Sequence, residues 1–314
     1  MKYIQELQDG NSIREIYYCK QKNNAVTKNG REHWNVVLQD KTGTIEAKVW
    51  DLNSPSIVDF ESGDYVQIYG EVSLYNNALQ ITIKQSRIAK EGEYDPLNYF
   101  PVTSKNVDEM WQQLVSYIGS VKNPFLSALL KKIFLQDASF AEIFKKSSAA
   151  KSVHHAFIGG LLEHTLSVTD NCEYIAGKYP VIKRDLLITA ALLHDIGKTK
   201  EFAPFPVNDY TDDGNLLGHI VIGTQMVEKA ASEIPDFPAT LKSELEHCIL
   251  AHHGKLEYGS PKVPALVEAV ALNFADDMDA KLEIFTEISD HTVSKDWLGY
   301  NRFFDTNIRL TKGE

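Results

Sequence analysis

Cysteine is scarce in this chain, with three residues in 314: Cys19, Cys172 and Cys248. An odd number at wide spacing fits neither a disulfide framework nor a thiolate zinc knuckle, so a reducing, cytoplasmic setting is expected. Long apolar runs are also missing. None approaches the ~18 residues that a membrane-spanning helix needs, so no membrane partner is expected. The opening Met1-Lys2-Tyr3-Ile4-Gln5-Glu6 lacks the apolar core of a signal peptide, and export is not expected. There is no G-x-S-x-G elbow and no P-loop, so neither a serine nucleophile nor P-loop chemistry is signposted. Positive charge is in deficit, with 32 Lys+Arg against 43 Asp+Glu and a net charge of −11. Residues 1–90 hold 11 of each sign, which leaves 21 basic and 32 acidic residues in 91–314. An acidic domain cannot hold nucleic acid by a broad basic surface. Any phosphate must be met there locally, through metal ions or a few placed cations.

What is present is ordinary globular composition, 43% hydrophobic and 24% charged, at a length that favours two domains. Short β-branched and aromatic runs predict five strands near 12–22, 32–39, 44–50, 64–75 and 78–88. Lys28-Asn29-Gly30, Lys41-Thr42-Gly43 and Asn76-Asn77 supply turns, and 54–60 reads as a short helical insert. Five strands with a helix after the third is the order of an OB-fold barrel. Residues 91–105, with Pro96 and Pro101, read as a linker. Beyond it the period becomes 3.6, predicting helices near 107–119, 124–136, 140–146, 155–178, 183–198, 219–233, 238–253 and 265–282. The expected class is therefore α+β multidomain: an OB-fold barrel over 1–90, the linker, an all-helical domain over 106–293, and an aromatic tail over 294–314.

Nine of the ten histidines lie between His154 and His291. His164 stands in Leu161-Leu162-Glu163-His164-Thr165-Leu166, and His194-Asp195 closes the apolar run Ala190-Ala191-Leu192-Leu193. His219 follows Gly218, His252-His253-Gly254 ends a helix, and Asp276 stands in Phe274-Ala275-Asp276-Asp277. Adjacent residues on a helix diverge by about 100°, so His194 and Asp195 can share an ion only at a helix end, which Gly197 would supply. Imidazole and carboxylate donors without thiolate suit manganese, iron, cobalt or zinc better than calcium. Polar residues beside strongly apolar helical sequence are costly to bury without a partner. His33, His247 and His291 are set aside as core or surface histidines.

These segments resemble the metal-dependent HD phosphohydrolases, whose pattern is H…HD…D. The resemblance implies that His164, His194, Asp195 and Asp276 hold one ion. In members with additional histidines it implies a second ion on His219, His252 and His253, with Asp195 bridging. With the barrel ahead of it, and with His154-His155 leading into Gly159-Gly160-Leu161-Leu162-Glu163-His164, the whole chain is similar to the YhaM-type 3′-to-5′ exoribonucleases of Gram-positive bacteria. That similarity implies manganese-dependent hydrolysis of single-stranded RNA, and of single-stranded DNA, from the 3′ end. The GYP-type extension of cyclic-dinucleotide phosphodiesterases is missing, since Lys255-Leu256-Glu257-Tyr258-Gly259-Ser260-Pro261 follows Gly254.

Lys198 either meets a phosphate oxygen or offsets a helix C-terminus. Asp277 and Asp279 either orient ligands or are solvated. Alternation sends Lys48, Trp50, Tyr65 and Tyr69 to the outside of the barrel, where they either stack on single-stranded bases or pack against protein. Two other readings stay open beside the exonuclease. One is a phosphohydrolase of small or cyclic nucleotides with a regulatory barrel. The other is a non-catalytic single-strand-binding protein. Homo-oligomerisation is also left open.

Overall fold

The computed structural model describes residues 1–311 except 28, 77, 152–154, 156 and 291–295, and of residue 290 only the backbone. Lys28, Asn77, His154, His291 and the boundary drawn at 293/294 lie outside the described residues. The chain divides into two compact units, Met1–Val102 with Phe205–Val207, and Thr103–Pro204 with Asn208–Glu314.

The first unit is a closed barrel of β1 (Ser12–Val26), β2 (Glu32–Asp40), β3 (Gly43–Val49), β4 (Tyr65–Tyr75) and β5 (Ala78–Ile88), in the spatial order β1-β2-β3-β5-β4. All pairings are antiparallel except β3 with β5, and β1 closes on β4 through Ile13 opposite Gly70. Alternation sets the faces as the pattern requires. Val36, Leu38, Ile45, Ala47, Val49, Val66, Ile68 and Ile81 fill the interior. Gly70 sits at a bulge between β4 and β5, where a Cβ would lie 2.6 Å from the Thr82 carbonyl oxygen.

Two expectations for this unit are corrected. Residues 54–60 form a turn and a short extended piece rather than a helix, because Ser86 of β5 accepts from Val58 N and donates its own N–H to the Ser56 carbonyl. Tyr65 does lie on the outer face, but it is buried. Tyr94 stacks on it at 3.7 Å between ring centroids and Tyr99 meets it edge-on at 4.9 Å. The stretch read as linker therefore covers that face, and Tyr65 is withdrawn from the exposed set.

The second unit is helical: α1 (Val107–Ser120), α2 (Pro124–Leu130) prolonged by a π turn (Lys131–Leu135), α3 (Ala138–Lys146), α4 (Gly160–Lys178), α5 (Arg184–Leu193), α6 (Lys198–Glu201), α7 (Asp212–Leu216), α8 (Gly218–Ser232), α9 (Ala239–Leu250) and α10 (Val267–Asp290). Every residue of α5 from Leu186 to Leu193 is buried, as is α4 from Gly160 to Leu166, so these two form the centre of the core. The helix expected over 155–178 starts five residues late. His155 and Gly159 both take left-handed backbone (φ +57° and +88°), which a helix cannot include. The aromatic tail contains a hairpin, β6 (Trp297–Asn301) and β7 (Thr306–Arg309), with Phe304 against Phe285 of α10 at 4.4 Å. Among the described residues, no helix is long and apolar enough to cross a membrane.

Candidate metal centre

The helix expected over 183–198 stops at Leu193, and His194 to Gly197 form a turn before α6. This break lets adjacent side chains share a centre. Gly197 serves it differently from a helix-ending glycine. Its backbone is ordinary right-handed helical (φ −62°), but a Cβ there would lie 2.0 Å from the His219 carbonyl oxygen. Only glycine lets α8, which opens with His219, approach so closely.

Asp195 is the hub. Its Oδ2 lies 3.4 Å from both His164 Nε2 and His194 Nε2, and its Oδ1 lies 3.4 Å from His219 Nε2 and 3.7 Å from His252 Nε2. Asp276 Oδ1 on α10 adds contacts of 3.1 Å to His164 Nε2 and 3.8 Å to His194 Nε2. The donor atoms of His164, His194 and Asp276 lie within 4.8 Å of one another, as do those of His219, His252 and His253. All seven residues singled out by sequence therefore meet in one place, as two groups joined through the two oxygens of one carboxylate.

The imidazoles are held from behind. Nδ1 of His194 bonds the Ala191 carbonyl at 2.7 Å, that of His252 the Ile249 carbonyl at 2.7 Å, and that of His253 the Tyr258 carbonyl at 3.0 Å. His219 Nδ1 meets Glu201 Oε1 at 3.0 Å, and the same oxygen accepts the His219 backbone N–H at 3.0 Å. His164 Nδ1 meets Asp279 Oδ2 at 2.6 Å. Each ring thus turns Nε2 toward the centre, the arrangement by which outer partners fix a ligand's tautomer and orientation.

Sequence reasoning missed Glu201 altogether. Asp279, left undecided there, is tied to His164, His155 and Ser167, whereas Asp277 is exposed and paired with Lys281 at 2.7 Å. The signal for Asp279 was its place three residues after Asp276, on the same helix face. Glu201→Gln and Asp279→Asn are each expected to lower metal affinity or turnover by ~10- to 100-fold. Metal titration of turnover checks this, and unaltered curves would reduce both acids to structural groups.

The electrostatics favour a cation. Burial would lower the His164 imidazole, but the carboxylates of Asp195, Asp276 and Asp279 outweigh it and hold the group well above its ordinary value. Burial works against the charged form of Asp195 too, yet Lys198 and His194 hold that carboxyl well below the usual range. His252 is pushed well below the ordinary histidine value by burial, then by His253 and His194, so its lone pair is free to coordinate. Lys198 Nζ lies 2.7 Å from Asp195 Oδ2, at the start of α6 rather than at a helix C-terminus.

Three buried atoms here have no hydrogen-bond partner: Asp195 Oδ1, His219 Nε2 and His252 Nε2. Orphaned buried polar atoms are costly, and these three converge. With imidazole and carboxylate donors and no thiolate, the set fits a divalent transition metal. The buried cysteines stand apart from it: burial pushes both Cys172 and Cys248 up, the latter to about 12.

Comparison with known proteins places the two parts of the chain in families. Residues 161–281 match the HD domain, a metal-dependent family, and residues 18–89 match the OB-fold nucleic acid binding domain. Among solved structures, the second OB-fold domain of replication protein A from Methanococcus maripaludis is 21% identical (TM-score 0.23; 29% of this chain, 96% of that one). The OB domain of Ta0387 from Thermoplasma acidophilum is 16% identical (TM-score 0.22; 31% and 92%). A curated relative, the 3′-5′ exoribonuclease YhaM of Bacillus velezensis, is 36% identical over 276 residues, covering 87% of this chain and 86% of its own length. With both domains aligned in one relative at that identity, the chain belongs to the YhaM family of 3′-5′ exoribonucleases.

Proposed function

We propose that the chain is a two-metal 3′-to-5′ exoribonuclease that works with manganese on single-stranded RNA, and on single-stranded DNA as well. The observation that carries the reading is Asp195, whose two oxygens face two separate groups of converging imidazoles. His164, His194, Asp195 and Asp276 would hold one ion, and His219, His252 and His253 the other, with Asp195 common to both. Such a pair supplies an activated water and offsets charge at the phosphate.

The chain's own residues do the rest. The outer acids and backbone carbonyls fix the imidazoles before substrate arrives, so little reorganisation is left for the reaction. Lys198, held 2.7 Å from Asp195 Oδ2, is a side-chain cation at the centre and is proposed to meet a non-bridging phosphate oxygen. The acidic character of 91–314 assigns capture of the strand to the barrel. There Trp50 is half-buried, stacked on His33 at 4.6 Å, with Lys48 Nζ 5.1 Å from its ring, and Tyr69 is half-buried on β4. Hydrolysis of small or cyclic nucleotides is the less favoured reading, because the relative spans both domains.

The decisive experiment uses a 5′-labelled oligoribonucleotide and a panel of mononucleotides and cyclic nucleotides, with manganese present. A ladder shortening from the 3′ end supports the reading, and turnover of the small nucleotides alone would overturn it. Trp50→Ala should weaken binding of a long single strand by ~5- to 150-fold, the equivalent of ~1 to 3 kcal/mol for one stacked base. Lys48→Ala should lower the salt dependence of that binding by about one phosphate's share. Fluorescence anisotropy over a salt series measures both, and unchanged affinity and slope would give these side chains to packing.

A further inference from the structure

Directly after His252-His253 the chain makes a tightly built turn. Gly254 takes left-handed backbone (φ +76°) flush against Asn273, where a Cβ would lie 2.5 Å from Nδ2, and Asn273 Nδ2 donates to the His252 carbonyl at 2.7 Å. A 3-10 turn over Leu256–Tyr258 follows, closed by Tyr258 N to Lys255 O at 3.0 Å. Ser260 anchors its far side, buried, with its hydroxyl donating to the carbonyls of Leu250 and Lys262. The Tyr258 carbonyl accepts the bond from His253 Nδ1 at 3.0 Å, so the backbone of this turn is fixed to the edge of the metal centre.

The side chains on this frame face solvent. Tyr258 is 61% exposed, and Lys255 Nζ stands 5.1 Å from the centre of its ring. A frame built this rigidly holds the ring in one place beside the centre. The chemistry at hand names the occupant. An enzyme that shortens strands from one end without regard to sequence must hold the last nucleotide by what every nucleotide shares, which is a flat base and an anionic backbone. A ring beside a lysine offers both complements, on a turn whose Tyr258 carbonyl is bonded to His253 Nδ1.

We propose that the Lys255–Tyr258 turn is the seat of the 3′-terminal nucleotide, with the Tyr258 ring stacking on its base. This deepens the exonuclease reading and rests on it. Lys255, which also pairs with Glu257 at 3.3 Å, would offer its charge to the backbone of the strand.

The test uses two oligoribonucleotides that differ only in whether the 3′-terminal residue carries a base or is abasic, with removal of the first residue followed in single turnover with manganese. The wild-type chain should favour the base-bearing end by ~5- to 150-fold, the range for one stacked base. Tyr258→Ala should bring the ratio close to one, and Tyr258→Phe should keep it, because stacking does not need the hydroxyl. A structural role for Tyr258 would slow both substrates alike and leave the ratio standing. That result overturns the proposal, as does a wild-type ratio near one while both strands are shortened; in either case the exonuclease reading stands. A wild-type chain that shortens neither strand overturns both.

Discussion

Asp195→Asn is expected to cost more than ~100-fold in turnover, beyond what the loss of an outer partner costs. Both oxygens are committed, Oδ2 toward His164 and His194 and Oδ1 toward His219 and His252. An amide replaces one of them with an N–H donor that cannot coordinate and removes the negative charge that both groups face, so one group loses its shared oxygen and the other keeps only a neutral one. Asparagine is the informative substitution because its remaining oxygen can still accept from Lys198. Alanine would strand an ammonium whose side chain is only 12% exposed, and breaking such a pair costs about 3–5 kcal/mol of stability by itself. Turnover on the labelled strand, metal content and urea unfolding should be measured together. Near-wild-type turnover with metal content intact would remove Asp195 from the centre.

The barrel was legible because its signal is local. Period-2 alternation and turn residues mark each strand, and the alternating Ile45, Ala47, Val49, Val66 and Ile68 all lie in the barrel's interior. Two of the failures share one cause, which is that the deciding partner lies far along the chain. Residues 54–60 have a helical look, but Ser86 holds them extended. Parity put Tyr65 outside, and it is outside, yet nothing in β4 says that Tyr94 will lie on it. The terminal hairpin did carry a local signal, two short runs around a turn with Asp305 in left-handed backbone, but its aromatic residues were read as a tail.

At the centre, the histidines and aspartates could be found from their types and their apolar setting. The acids behind them were harder to find. Glu201 is one of many glutamates until α6 and α8 bring it to His219, and Asp279 carried only its spacing from Asp276, the contacts that set it apart from Asp277 being supplied by the fold. Gly197 shows the same limit: its identity was noticed, but its reason is the carbonyl of a residue 22 positions later.

His252→Ala is expected to leave roughly one tightly held ion per chain and to lose most activity, as removal of one metal of a pair requires. His252 is fully buried, its Nδ1 is committed to the Ile249 carbonyl, and its Nε2 has no partner but the space facing Asp195 Oδ1 at 3.7 Å. Alanine also leaves a cavity in the core, so unfolding must be followed to separate lost packing from lost metal. His253→Ala provides that separation, because His253 is only half-buried, packs 4.4 Å from His252 and 5.1 Å from His219 between ring centroids, and leaves little void when truncated. If both histidines serve one ion, the two variants should show the same metal stoichiometry despite different stabilities. Turnover should fall in both. Metal analysis after dialysis against a weak chelator, read beside single-turnover rates, decides it: two ions per chain in both variants with wild-type rates would make the pair structural and take the second ion away from these two histidines.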